Sequence, residues 1–326
     1  MAERFLRTII DEDVSISAGA SPYTKDLPVN PLSFLLLTIR AVTLTANTVP
    51  TLANLLEVFS SVEVSFKGTT MVGASLVDLA RLVMHLWRCR ILRENINDDA
   101  SNITWVTVPI PFGRIPFHPE ECFPPTRKGD LTLKLNIASS FTNVGSVTII
   151  LEAVELLDAA PKRFTKITTT PKTPTATGEH EVDLPLGNPI LGALIFGTTT
   201  PTGTSWSASV RKVKLLVDNV ESHYSSARWE SLHNDGHWRG IFPWDFVRHT
   251  HLENLAAAYT QNAESGAVSD AVREDEKYIF LDFDPLRDDR YLLETEGRGR
   301  IHLKITADVV DAIRVLPIEL IRLPSA

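Results

Sequence analysis

Short stretches of alternating apolar and polar residues recur along this 326-residue chain. The clearest lies at 61–68, where the apolar residues Val62, Val64 and Phe66 alternate with the polar residues Glu63, Ser65 and Lys67. A period of two predicts a strand with one buried face. Related apolar-rich patterns predict strands at 32–45, 103–108, 131–137 and 147–151.

Helical spacing appears between two of these strands. Ser75 is placed to cap a helix, with Asp78 three residues further on. The apolar side chains that follow fall on one helical face, which predicts core packing: Leu76, Leu79, Val83, Leu86 and Trp87. A shorter helical spacing occurs within 49–59.

The second half of the chain repeats the first in the same order. Four pairs of segments correspond: Asn30-Pro31-Leu32 with Asn188-Pro189-Ile190, Val62/Val64/Phe66 with Val213/Leu215/Val217, 129–134 with 299–304, and Glu155-Leu156 with Glu319-Leu320. The spacing of about 160 residues is too long for a solenoid and indicates duplication of a whole domain.

We therefore predict three segments. Residues 11–31 are rich in Ser, Pro, Gly and Asp, so 1–31 is interpreted as an extended N-terminal arm. The first domain covers 32–160 and the second covers 161–326, with the boundary near Pro161. The threonine-rich stretch 165–178 is either a linker or an exposed β ribbon.

Many short strands with turns between them, and few helices, predict an all-β fold. About eight strands per half and long loops favour the jelly roll. The predicted architecture is two tandem eight-stranded antiparallel jelly-roll sandwiches with a few short helices.

Composition and net charge limit the classes of function that the chain can have. A net charge of -8 argues against specific or non-specific nucleic-acid binding. The two cysteines, Cys89 and Cys122, lack metal-site spacing and are expected to be free thiols. The sequence contains no apparent signal peptide or membrane span, which favours synthesis in the cytoplasm.

Two jelly rolls in tandem, with helices between strands and an N-terminal arm, resemble the double jelly-roll major capsid proteins of tailless icosahedral viruses (PRD1/adenovirus-like lineage). The resemblance rests on the strand openings at Asn30-Pro31 and Asn188-Pro189, the strand-then-helix step at 61–89, the segment 213–232, and the closing strands at 131–156 and 301–323. It covers most of the chain and is architectural.

This resemblance implies a non-enzymatic capsid protein located in the virion, here of a bacteriophage. It implies a homotrimer whose six similar domains form a pseudo-hexagonal block that tiles an icosahedral shell around the genome. The implied partners are neighbouring capsomers, minor capsid or vertex proteins and, in some viruses, an internal membrane. The segments 109–125 and 241–277 would be loops or towers, and the arm would clasp a neighbour.

One segment, 229–251, is rich in histidine and tryptophan. Imidazoles at such spacings can bind zinc or iron, and the candidate ligands are His233, His237, His249 and His251. His249-Thr250-His251 is similar to the HxH pair of cupins, but Glu253 follows too closely and no second motif is present. We therefore expect a loop with surface histidines, with no catalytic residue, cofactor or functional metal.

Two alternatives remain open. A carbohydrate-binding sandwich, such as a spike or lectin, would use Trp229, Trp238 and Trp244 as aromatic platforms. A cupin-like metal-dependent enzyme would use the histidines. The acidic run Asp282, Asp284, Asp288 and Asp289 lacks the glycine and closing glutamate of a calcium loop, and a solvated turn is expected there.

Overall fold

A computed structural model describes residues 4–44, 50–89, 91–95, 101–201, 205–238 and 277–324. The chain divides into two compact units. Among the described residues, the first unit holds 4–165 with 323–324, and the second holds 166–238 with 277–322. Strand β9 (Arg163–Thr168) carries the chain from one unit into the other.

The first unit contains a four-stranded antiparallel sheet in the order β1-β8-β3-β6. These strands are β1 (Phe5–Ile16), β3 (Leu32–Thr43), β6 (Ile103–Pro111) and β8 (Val144–Leu156). Strand β3 lies between β8 and β6. Its alternate side chains, such as Leu35, Leu37 and Ile39, are fully buried.

The other sheet of this unit runs in the order β5-β4-β7-β2. Its strands are β2 (Tyr23–Asp26), β4 (Phe59–Phe66), β5 (Thr69–Ala74) and β7 (Leu131–Ile137). Along the chain, the strands β1 to β8 are divided between two sheets in the order of a jelly roll.

Two helices lie between the strands of the first unit. Helix α1 (Leu52–Leu56) begins with a capping box formed by Thr51 and Asn54. Helix α2 (Leu76–Trp87) confirms the predicted helix, since the Ser75 side chain accepts a hydrogen bond from the Asp78 amide at 3.0 Å. Four of the five side chains predicted for its apolar face are buried, and Trp87 is half-buried.

The second unit has the same strand order. One sheet runs β16-β12-β18, with β10 also on β18; the other runs β11-β17-β13-β14, with β15 also on β13. The elements are β10 (Thr170–Lys172), β11 (Gly178–Asp183), β12 (Ile190–Gly197), β13 (Lys212–Val217), β14 (Val220–Glu221), β15 (Ala227–Arg228), α3 (Trp229–Trp238), β16 (Tyr278–Asp282), β17 (Ile301–Ala307) and β18 (Ile313–Arg322). Apolar side chains of both sheets form its core, including Ile195, Leu215 and Leu303.

The predicted fold class is confirmed: the molecule is mostly β, with two jelly rolls. The four repeated sequence segments occupy equivalent places, because β3, β4, β7 and β8 match β12, β13, β17 and β18 in sheet order. The register agrees as well, since Leu32 pairs with Glu155 and Ile190 pairs with Glu319.

The prediction of an N-terminal arm over 1–31 is wrong for the described residues. Strand β1 pairs with β8, and β2 pairs with β7, so the first jelly roll begins at β1 rather than at Leu32. The sequence pattern concealed β1 because it is an edge strand whose side chains are mostly exposed, which removes the apolar alternation.

Two loop interpretations also change. The segment 109–125 begins inside β6 and continues as a packed connection in which Phe112, Cys122 and Phe123 are buried. The threonine-rich stretch 165–178 is not a linker, since it contains the end of β9, all of β10 and the start of β11. Threonine suits strands because its branched side chain packs on a pleated surface.

Candidate functional site

The histidine-rich segment begins as a helix rather than as the predicted loop, since α3 covers 229–238. His233 stacks on Trp229 with ring centroids 4.6 Å apart and planes 9° apart. Its Nδ1 lies 3.2 Å from the carbonyl oxygen of Tyr278 and donates to it. This imidazole therefore packs the helix against β16.

The other candidate ligands cannot be placed in a site. His249 and His251 lie outside the described residues, and so does the side chain of His237. Within the part of the chain that the structure describes, no three His, Cys, Asp or Glu side chains gather as a metal site would require. Among the described residues, the structure brings His233 together with Trp229.

The acidic run after β16 organises a turn. Asp282 accepts from the amide of Asp284 at 2.9 Å, Asp284 accepts from Asp289 at 3.1 Å, and Asp288 accepts from Arg290 at 3.3 Å. Asp284 is completely buried, so the turn is less solvated than predicted. These carboxylates bind backbone amides of their own loop.

Both cysteines are free thiols, as predicted. Burial raises the pKa of Cys89, and it raises the pKa of Cys122 to about 12. A nucleophilic cysteine needs the thiolate form at neutral pH. Burial therefore disfavours the thiolate form of both side chains.

A buried ionic cluster anchors the connection after β6. Glu121 is fully buried and lies 2.7 Å from Arg114 and 2.6 Å from Arg163. The Arg114 side chain is 2% exposed, whereas that of Arg163 is 24% exposed. Two guanidinium groups around one carboxylate hold this segment in place, a structural role that the sequence pattern did not indicate.

A second buried carboxylate ties together three segments of the first unit: β8, β1 and the turn before β3. Glu155, near the end of β8, accepts from Asn30 at 2.7 Å and from Thr8 of β1 at 2.6 Å. The Leu156 amide donates to the Pro31 carbonyl at 2.8 Å. We call this arrangement of Asn30, Glu155 and Thr8 the first clasp.

The second unit contains the same arrangement. Glu319, near the end of β18, accepts from Asn188 at 3.0 Å and from Lys166 at 2.8 Å. The Leu320 amide donates to the Pro189 carbonyl at 2.8 Å, as its counterpart does. We call the set of Asn188, Glu319 and Lys166 the second clasp. The Asn-Pro and Glu-Leu pairs of the sequence repeat are the partners that meet in each clasp.

The start of β1 displays an apolar surface. Phe5, Leu6 and Ile9 are 61%, 47% and 53% exposed, and Phe117 nearby is 46% exposed. The rings of Phe5 and Phe117 meet edge to face at 5.2 Å. Exposed apolar side chains that lie close together mark contact surfaces. Strand alternation turns Leu6 to the face opposite Phe5 and Ile9, so we call Phe5, Ile9 and Phe117 the β1 patch.

No family model matches this sequence, and no curated protein is significantly similar to it. Solved structures do match. The major capsid protein P2 of bacteriophage PM2 is 14% identical with a TM-score of 0.59, and the match covers 98% of each chain. The major capsid protein of STIV, the Sulfolobus Turreted Icosahedral Virus, is 12% identical with a TM-score of 0.65, covering 98% of this chain and 97% of that one.

A third match is the capsid protein of the virus PBCV-1. It is 10% identical with a TM-score of 0.62, and the alignment covers 98% of this chain and 94% of that one. These matches extend over nearly the full length of each protein. The fold of this chain is therefore the double jelly roll of these capsid proteins, as the sequence predicted.

Proposed function

We propose that this chain is the major capsid protein of a tailless icosahedral virus. The observation that carries the proposal is the pair of complete jelly rolls with equivalent clasps. The near-complete coverage of three viral capsid proteins supports it. A capsid protein acts through surfaces rather than a reaction centre, so its role is structural and it works in the virion.

The assembly unit we propose is a homotrimer. Three chains with two similar domains each supply six similar blocks around one axis, and such a pseudo-hexagon tiles a shell with few gaps. Neighbouring capsomers are then the main partners, with minor vertex proteins and an internal membrane as further contacts. Among the described residues, no helix is both long and apolar enough to span a bilayer. Synthesis would take place in the cytoplasm of the host, here a bacterium.

The test is to express the full chain and follow its assembly. Sedimentation and negative-stain electron microscopy should detect trimers at micromolar concentration, and sheets or shells at higher concentration. A monodisperse monomer at high concentration, with no particles in producing cells, would contradict the proposal. The carbohydrate-binding and cupin-like alternatives are not favoured by the structural matches.

A further inference from the structure

The β1 patch borders a surface pocket, since Phe5 and Phe117 line both. The pocket has a volume of about 270 Å³ and is lined by Phe5, Phe117, Pro119 and Leu156, together with Arg4 and Asp158. Small-molecule sites typically measure about 300–1,000 Å³. This pocket is smaller, so it suits a single inserted side chain better than a separate ligand.

The backbone of Phe117 is strained in a way that displays its ring. Its φ of 62° lies in the left-handed region, which is unfavourable for a bulky residue. The Ser33 hydroxyl accepts from the Phe117 amide at 2.8 Å and stabilises this conformation, while the Phe34 ring supports the Phe117 ring at 5.2 Å. A strained backbone conformation that neighbouring residues maintain points to a functional position.

The second unit exposes a large aromatic side chain. Trp206 lies between β12 and β13 and is 67% exposed. Tryptophan is among the residues that dominate the energy of protein interfaces when they enter an aromatic pocket. Arg4 beside the pocket adds a guanidinium that can stack on an indole ring.

We propose that the β1 patch binds a second copy of this chain and that Trp206 of that copy fills the pocket. The proposal rests on the proposed function as a self-assembling shell protein. Trp206 belongs to the second unit of the chain and the pocket belongs to the first, so the contact joins unlike surfaces. When the rotation between successive copies closes, a contact of that kind forms a ring, which is the symmetry that a trimer needs.

One tryptophan buries about 150–250 Å², whereas a stable interface buries about 800 Å² on each partner. Trp206 is therefore the anchor of a larger contact surface. Its removal should weaken assembly while the monomer stays folded, because a side chain that is 67% exposed contributes little to the core.

The first experiment compares assembly of the full chain with variants Trp206→Ala, Phe5→Ala and the double variant, measured by sedimentation. Each single variant should need an about tenfold or higher protein concentration for half-maximal assembly. The double variant should be no worse than the single ones, because both remove one contact. The control is Val220→Ala in the same unit, since Val220 is 69% exposed and outside the proposed contact; it should assemble as wild type does.

The second experiment tests proximity without removing the contact. One variant carries Ser205→Cys, next to Trp206, and the other carries Ala159→Cys, in the pocket. The two variants are mixed and treated with a short bismaleimide. A heterotypic cross-link is expected, with none when Glu221→Cys replaces Ser205→Cys. The native thiols give little background because burial raises the pKa of both.

The outcomes separate the two proposals. A wild-type chain that stays monomeric overturns the capsid proposal and this contact with it. A wild-type chain that assembles, with Trp206→Ala assembling equally well and no cross-link, overturns the contact alone. Loss of assembly in Phe5→Ala but not in Trp206→Ala would mean that something other than Trp206 occupies the pocket, which also overturns it.

Discussion

The side-chain amide of Asn30 donates to the buried carboxylate of Glu155 at 2.7 Å, across 125 positions of sequence. Asn188 and Glu319 repeat this bond at 3.0 Å in the second unit. In both units the carboxylate also accepts from a preceding strand, through Thr8 or Lys166. A buried carboxylate must be fully hydrogen-bonded to be tolerated, which makes each clasp a constraint on three segments at once.

The first prediction concerns the first clasp. Asn30→Ala should lower the free energy of unfolding by about 1.5–3 kcal/mol, because a hydrogen bond to a buried charged group is lost. Combined with Glu155→Gln, it should lose less than the sum of the two single changes, since both act on one bond. Denaturant titration measures each value.

The control pairs Asn30→Ala with Glu319→Gln, which takes one change from each clasp. These two changes share no hydrogen bond. Their effects should add within about 0.5 kcal/mol. Equal non-additivity in both combinations would show that the coupling does not arise from the Asn30–Glu155 bond.

The second prediction concerns the buried ionic cluster. Glu121→Gln should destabilise the protein by about 3–5 kcal/mol, because two guanidinium groups lose their buried counter-charge. The adjacent Glu120 pairs with Lys162 at the surface, and its side chain is 47% exposed. Glu120→Gln is the matched control and should change stability by less than about 1 kcal/mol. Similar midpoints for both variants in thermal unfolding would contradict the assigned role of Glu121.

The third prediction uses two glycines with different surroundings. A β-carbon at Gly113 would lie 2.3 Å from the carbonyl oxygen of Glu121, a backbone atom that cannot easily move. Gly113→Ala should therefore destabilise the protein by about 1–3 kcal/mol. At Gly145 the nearest atom would be 3.5 Å away, which is an ordinary contact. Gly145→Ala should be neutral or slightly stabilising in the same unfolding assay.

The fourth prediction concerns the attachment of β1 at low pH. Hydrogen bonding to Lys25, with Tyr23 assisting, holds the pKa of Asp11 below its usual value, and Arg4 does the same for Asp158. A carboxylate with a lowered folded pKa adds stability above its unfolded value, about 3.9 for Asp. That stability is lost as the pH falls through the folded value. The protection of the β1 amides, which is their exchange rate relative to the intrinsic rate at the same pH, should therefore fall several-fold below about pH 4.

Asp158→Asn separates this effect from general acid unfolding. It removes the charge at neutral pH, where the other carboxylates stay ionised, and should loosen the first residues of β1 without lowering protection in β12. Hydrogen exchange with mass spectrometry resolves the two strands. Unchanged exchange in β1 would mean that its backbone pairing with β8, rather than these ion pairs, governs its release.

The central strands could be predicted from sequence because burial imposes a period of two on them. Val62, Val64 and Leu133 alternate with polar neighbours because one face lies in the core. The repeat was visible for a related reason: Asn30-Pro31 and Glu155-Leu156 have to meet, and so do Asn188-Pro189 and Glu319-Leu320.

The edge strand β1 and the surface pocket beside Phe5 could not be predicted in the same way. Strand β1 is held by backbone pairing and by ion pairs such as Arg7 with Glu152, which leave no apolar pattern. The pocket beside Phe5 depends on Phe117, Pro119 and Leu156, which are distant from Phe5 in sequence. The number of histidines in 229–251 suggested metal ligands, but composition could not show that His233 packs on Trp229.

The pairing of β1 with β8 also sets the timing of folding during synthesis. Thr8 and Glu155, which bond to each other, are 147 positions apart. At about 5–20 residues per second, the ribosome needs roughly 7–30 s to make the partner of a strand that emerged first. Throughout that interval β8 is missing from its place between β1 and β3, so β1 has no strand to pair with. The first jelly roll therefore closes late, and the surface around Phe5 becomes available to a neighbouring chain only after its own domain is complete.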